Sequence, residues 1–235
     1  MEKTINVSNR GATLDTNRRN FLKLGGVGLV VAGLTLAGCR DDDFPHINNN
    51  VFDLGKGDVG ILNYAYALEQ LEADFYSKVV NNFYSGISTD ERQLFTDIYQ
   101  HEVIHRDFFK AAISAATTQV LPTLEFKYDG VDFSNRNSVL ATAKALEDTG
   151  VAAYNGAAKY ISNVDYLVIA GKIVSVEARH AAAIRNTITP GSADFSGDDV
   201  IDVNGLDLAK EPKDIVMAAG GFIKTKFTWQ EQGIS

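Results

Sequence analysis

Apolar residues recur at helical rather than alternating spacing through four long stretches of this chain. The first runs from about Val59 to Asn82, with Asp58 as its expected cap. The second opens at Ser88, where Glu91 three residues on completes a capping box, and continues to about Ala115. The third covers about Ser138 to Ile161. The fourth starts near Asn163 and ends near Ile188, ahead of Pro190. None of the four contains proline, and glycine is sparse within them, Gly150, Gly156 and Gly171 apart.

The links between these stretches restrict the topology. The first and third links are very short, which forces antiparallel neighbours. The second, from Ala116 to Asn137 with Pro122 and Gly130, is long enough to travel back along a bundle. The expectation is an all-α four-helix bundle over residues 58–190, with one long crossover between helices two and three. Residues 191–235 read differently. Turn signals at Asp198-Asp199 and Asn204-Gly205 precede a short helix from Pro212 to Phe222, so this C-terminal extension is expected to pack over the bundle. Asp202-Val203-Asn204-Gly205 lacks the acidic spacing and closing Glu of a calcium loop.

The N-terminus reads as an address. Arg18-Arg19-Asn20-Phe21-Leu22-Lys23 is followed by an apolar run from Leu24 to Gly38 and then Cys39. A charged segment, a short apolar segment and small residues before a cut site make a secretory signal. The run is short for a membrane span, which needs roughly 20 residues. The arginine pair resembles a twin-arginine export signal. Leu36-Ala37-Gly38-Cys39 resembles a lipobox, in which the cysteine is acylated and becomes the new N-terminus. A plain N-terminal membrane anchor is the alternative, and it leaves the position of Cys39 unexplained. The twin-arginine route carries folded proteins, often with a cofactor already loaded. Residues 1–39 are thus expected to be a signal peptide and 40–57 an acidic, polar tether. Asp41-Asp42-Asp43 in that tether resembles a surface-export signal of some Gram-negative lipoproteins, or is a solvated spacer. The implied location is a membrane lipoprotein of the cell envelope, on the outer membrane or cell surface if the acidic run is a signal.

Composition narrows the function classes. Hydrophobic residues make up 45% of the chain, enough for a sizeable core. The net charge is -8, and it becomes -11 once the five basic and two acidic residues of the first 39 are set aside. Such an acidic body is a poor nucleic-acid binder, because phosphates are repelled. A single cysteine excludes an intramolecular disulfide.

The candidate chemistry sits inside the helices. Helix two contains Glu102-Val103-Ile104-His105 and helix four contains Glu177-Ala178-Arg179-His180. In each, Glu and His lie three apart and point from one face. The other two helices also resemble each other: Leu68-Glu69 precedes Tyr76, Leu146-Glu147 precedes Tyr154, and in both Tyr follows Glu by seven residues. The chain thus reads as two copies of a Glu helix followed by a Glu-x-x-His helix. One Glu from each of two helices and a Glu-x-x-His from each of the others is a ligand set for two metals in a bundle core. Two divalent cations would balance Glu69, Glu102, Glu147 and Glu177, with neutral His105 and His180 completing the set. Oxygen-rich donors with two imidazoles suit two iron or two manganese ions, and zinc less well. Glu72 is the rival to Glu69 in helix one, but its counterpart in helix three is Gly150, so the repeat favours Glu69. His101, about 100° round the helix from Glu102, is expected to point away. Tyr76 and Tyr154 read first as core packing.

At these residues the chain resembles the ferritin-like domain family. The stretches that carry the likeness are Asn63 to Tyr76, Glu102 to Phe109, Leu146 to Ala157 and Ile173 to Ala183. The similar branch includes bacterial exported ferritin-like proteins and plant desiccation-related proteins. The resemblance implies the bundle fold and a dinuclear metal centre, but not the reaction, since one fold hosts many functions. The chain has no cysteine pairs for a rubredoxin-type centre, so it is not a complete rubrerythrin, and a lipid tether argues against a closed storage cage. The leading expectation is redox chemistry on dioxygen, peroxide or ferrous iron, as in a ferroxidase or a peroxide-consuming oxidoreductase, with an electron donor that the sequence does not name. A metal-binding or stress-protective envelope protein without turnover is the second reading. A structural lipoprotein whose site knits the bundle is the third.

Overall fold

The structure is a computed structural model and describes residues 51–229. The expected signal peptide, with Arg18, Arg19 and Cys39, lies outside the described residues, as do residues 40–50 of the tether. Four long helices dominate: α1 (Gly57–Asn81), α2 (Thr89–Ala116), α3 (Arg136–Ala157) and α4 (Val164–Ile188). A short helix α5 (Pro212–Ala219) follows. Strands β1 (Phe52–Asp53) and β2 (Phe227–Thr228) pair in parallel, with Phe52 opposite Phe227. The protein is an all-α four-helix bundle with one long crossover, between α2 and α3. Among the described residues, no helix is long and apolar enough to cross a membrane.

The helices begin where local chemistry starts them, with one correction. Ser88 caps α2 through the full box: its hydroxyl accepts from Glu91 N, and Glu91 Oε2 accepts from Ser88 N at 3.1 Å. Asn135 and Asn163 cap α3 and α4 with their side-chain oxygens. Asp58, in contrast, does not cap α1, whose N-cap is Lys56. Its carboxylate accepts instead from Ser162 N and Asn163 N, at 2.7 and 2.9 Å, and ties the start of α1 to the corner before α4.

Helix α1 is the central element. It packs mainly on α2, while α3 packs mainly on α4, so the bundle is two helical hairpins face to face. Leu71, Phe75 and Tyr76 of α1, Phe95 and Ile98 of α2, and Ile184 of α4 are almost completely buried. Each such side chain contributes roughly 1.5–3 kcal/mol. Because α1 is buried on nearly every side, its polar residues need internal partners. Asn63 Nδ2 donates to Leu54 O and Gln119 O, and Asn63 Oδ1 accepts from Leu121 N. Two turns on, Gln70 Oε1 accepts from Leu124 N. These two amides hold the crossover along α1.

The chain after α4 is pinned to the α3–α4 hairpin. Arg185 is buried, and its guanidinium forks onto Asp148 of α3 and Asp199 of the extension, with Asp194 O as a third partner. Lys210 N donates to Ala152 O at 3.0 Å. Gly156 permits this close approach, because a Cβ there would lie 1.8 Å from Lys210 O. Helix α5 then docks Ile215 into the core.

Candidate metal centre

Helix periodicity places one acidic residue of α1, one of α3, and a Glu-His pair from each of α2 and α4 on faces that meet in the bundle centre. Glu69, Glu102, Glu147 and Glu177 are completely buried, and His105 and His180 nearly so. The donor atoms form two overlapping groups, each with its atoms within 4.8 Å of one another: Glu69, Glu102, His105 and Glu177, and then Glu102, Glu147, Glu177 and His180. All six sequence-derived candidates are therefore brought together, with Glu102 and Glu177 common to both groups.

The geometry has a local two-fold character. His105 Nδ1 lies 2.8 Å from Glu177 Oε1, 3.5 Å from Glu69 Oε2 and 3.7 Å from Glu102 Oε2. His180 Nδ1 lies 2.9 Å from Glu102 Oε1, 3.5 Å from Glu147 Oε2 and 3.6 Å from Glu177 Oε2. Despite these separations, both Nδ1 atoms and the facing oxygens of all four carboxylates lack a hydrogen-bond partner in acceptable geometry. Buried polar atoms are almost always paired, so a convergent set of unpaired donors fits a shared cation.

The electrostatics match this crowding. Burial, reinforced by the Glu177 charge, pushes Glu102 up to about 8. Burial also pushes Glu147 up to about 7, although His180 and Tyr76 oppose it. Glu177 goes the other way, to about 2: burial would raise it, but the two imidazoles beside it win. Burial likewise would lower both histidines, yet the neighbouring carboxylates raise His180 to about 12 and His105 further. The pocket is an acidic cage that draws positive charge.

Four further residues belong to the site. Tyr76 of α1 donates to Glu147 Oε1 of α3 at 2.5 Å, and Tyr154 of α3 donates to Glu69 Oε1 of α1. Each tyrosine thus orients the carboxylate of the opposite helix, a role beyond the packing expected from sequence. His101 corrects another expectation. It points toward the site, and its Nδ1 shares a 2.9 Å hydrogen bond with His180 Nε2, the rings nearly parallel. The angle from Glu102 was the wrong guide. His101 precedes His105 by four residues, one helical turn, so it lies on the stripe that faces α4. Glu72 is 2% exposed and belongs to neither donor group. Burial and the four neighbouring carboxylates raise its carboxyl well above the usual range. Its repeat counterpart Gly150 lies against it: a Cβ at Gly150 would come within 2.9 Å of Glu72 Oε1.

A family model described as a ferritin-like domain matches residues 57–190, more than half of the chain. The chain belongs to the ferritin-like domain family. No curated protein matches it in sequence. The ferritin-like domain here encloses a buried cluster of acidic residues and histidines compatible with a metal site.

Proposed function

We propose that this ferritin-like domain holds two iron or two manganese ions and performs redox chemistry on dioxygen, peroxide or ferrous iron. The observation that carries the reading is the pair of shared carboxylates, Glu102 and Glu177, set between two histidines whose Nδ1 atoms have no hydrogen-bond partner. Glu69 and His105 would complete one metal position, and Glu147 and His180 the other. Two divalent cations would neutralise the four carboxylates, whose mutual repulsion is otherwise costly in a buried site. Such ions supply paired one-electron changes to an oxygen species.

The chain's own residues set the geometry. Tyr76 and Tyr154 hold the terminal carboxylates from across the bundle. His101 holds His180: with His180 Nδ1 given to a cation, Nε2 would carry the proton and donate to His101 Nδ1. Buried Phe95 and Phe109 pack on the rings of Tyr76 and Tyr154, and such apolar cover excludes bulk water and strengthens each charge interaction.

We further propose that the domain works at the cell envelope, tethered through an acylated Cys39 after export directed by Arg18 and Arg19. The electron donor would then be an envelope reductant. The test is to load the protein anaerobically with Fe²⁺ or Mn²⁺ and mix it with dioxygen, hydrogen peroxide or excess Fe²⁺. Oxidation of the bound metal with turnover of one substrate is expected. Tight binding of two metals without turnover would favour a non-catalytic metal-binding or stress-protective role.

A further inference from the structure

A cavity of about 150 Å³ opens between α1, α3 and α5, away from the histidine side of the cluster. Ala145 and Ala218 on its lining are exposed and form the mouth. Leu68, Leu146 and Phe222 make apolar walls, with half-buried Thr149 among them. The buried lining is apolar, Leu68, Leu71, Leu146 and Ala219 with Gly150, except for the Glu72 carboxyl. Glu72 Oε2 has no hydrogen-bond partner although it is buried. Glu72 also lies one turn beyond Glu69 on the same face of α1, close enough to the cluster for all four of its carboxylates to act on it. Glu72 therefore lines the cavity and also stands within electrostatic reach of the cluster.

We propose that this cavity is the port by which a small neutral hydroperoxide, hydrogen peroxide being the smallest, reaches the cluster, with Glu72 as its inner gate. This rests on the metal-centre reading above. Three features select the ligand class. Apolar walls penalise an ion that must shed its water, so the port does not suit Fe²⁺ or superoxide. The volume is ample for a molecule of a few heavy atoms. The unpartnered carboxyl oxygen of Glu72 calls for a hydrogen-bonding partner, and hydrogen peroxide both donates and accepts, whereas dioxygen has no donor and is a poor acceptor. Gly150 leaves room for the gating carboxyl: a side chain there would meet Glu72 Oε1 at 2.9 Å and displace it.

The test narrows the mouth at exposed positions outside the cluster. Ala145→Phe and Ala218→Trp are compared with wild type, and Glu72→Ala serves as the opened port. Metal content is measured first, then three rates: Fe²⁺ uptake by the metal-free protein, oxidation of the loaded protein by hydrogen peroxide, and water-proton relaxation by bound Mn²⁺. The relaxation reads access of a small neutral O–H molecule without any turnover. The narrowed variants should keep full metal content and Fe²⁺ uptake while peroxide oxidation slows about tenfold, the effect of a modest rise in the access barrier. Their Mn²⁺ relaxation should fall, and Glu72→Ala should raise both. Unchanged peroxide rates in both narrowed variants, or equal slowing of Fe²⁺ uptake, would overturn the port. A wild-type protein that takes up no metal would overturn the centre on which the port rests, and the metal content separates the two failures.

Discussion

Replacing Tyr76 with Phe removes one oxygen atom and leaves the packing in place. The Tyr76 ring is fully buried, edge-on to Phe75 at 5.1 Å and tilted against Phe95 at 6.2 Å, and Phe keeps both contacts. The loss is the 2.5 Å hydrogen bond to Glu147 Oε1. Because Oε2 of the same carboxylate has no hydrogen-bond partner, the variant leaves Glu147 with no hydrogen-bond donor at all. A hydrogen bond to a charged group is worth about 1.5–3 kcal/mol. That corresponds to about 10- to 150-fold in an equilibrium constant. If Glu147 is a metal ligand, the loss appears in affinity at the position it shares with His180. The position formed by Glu69 and His105 keeps its own Tyr154 and should change little. Calorimetric titration of metal-free protein with Mn²⁺ should show one of two binding phases weakened about 10- to 100-fold, the usual effect of removing a ligand's hydrogen-bond partner. Tyr154→Phe should weaken the other phase. Unchanged affinity in both variants, or equal weakening of both phases by one substitution, would refute the reasoning.

His101→Ala should weaken the His180 position by about 10- to 100-fold and His101→Asn, whose side-chain oxygen can accept from His180 Nε2, should recover part of it, again read by titration. Metal-free protein should lose thermal stability between about pH 5 and 8. The sign follows from Glu147 at about 7 and Glu102 at about 8, both raised from the ordinary value of 4.5: their contribution is complete below that value and is lost as pH rises through the folded values. The raised histidines act in the same direction, and the lowered Glu177 acts only in acid. Added Fe²⁺ or Mn²⁺ should restore the neutral-pH melting temperature, and flat melts without metal response would count against a buried cluster. Cys39→Ala should abolish lipid labelling and release the protein from membranes, and a variant that stays anchored would remove the lipobox reading.

Periodicity made the bundle legible because each long helix repeats its apolar face over several turns, and the capping box at Ser88–Glu91 marked a start to the residue. Asp58 misled because a carboxylate just before an apolar stretch looks like a cap, while its partners, Ser162 and Asn163, lie a hundred residues away. The six donors were legible because two Glu-x-x-His pairs and the matching Glu helices repeat. What the sequence hid depends on contacts across the bundle. The repeat showed Tyr76 and Tyr154 at equivalent places, but only the pseudo-two-fold packing reveals that each reaches the other half's Glu. The same packing sets Glu72 against Gly150, so the asymmetry that made Glu72 look unimportant is what gives it space. His101 was legible in principle from its one-turn spacing to His105.

The central claim is that two metals share Glu102 and Glu177. It is tested most directly by metal content per chain, measured by mass spectrometry after loading with Fe²⁺ or Mn²⁺ and desalting, in wild type and four alanine variants. Wild type should retain two ions per chain. Glu69→Ala and Glu147→Ala should each lose chiefly one, because each touches a single position. Glu102→Ala and Glu177→Ala should lose both, because each belongs to both donor groups. Wild-type protein that retains no metal, or a Glu102→Ala variant that retains both ions, would contradict it.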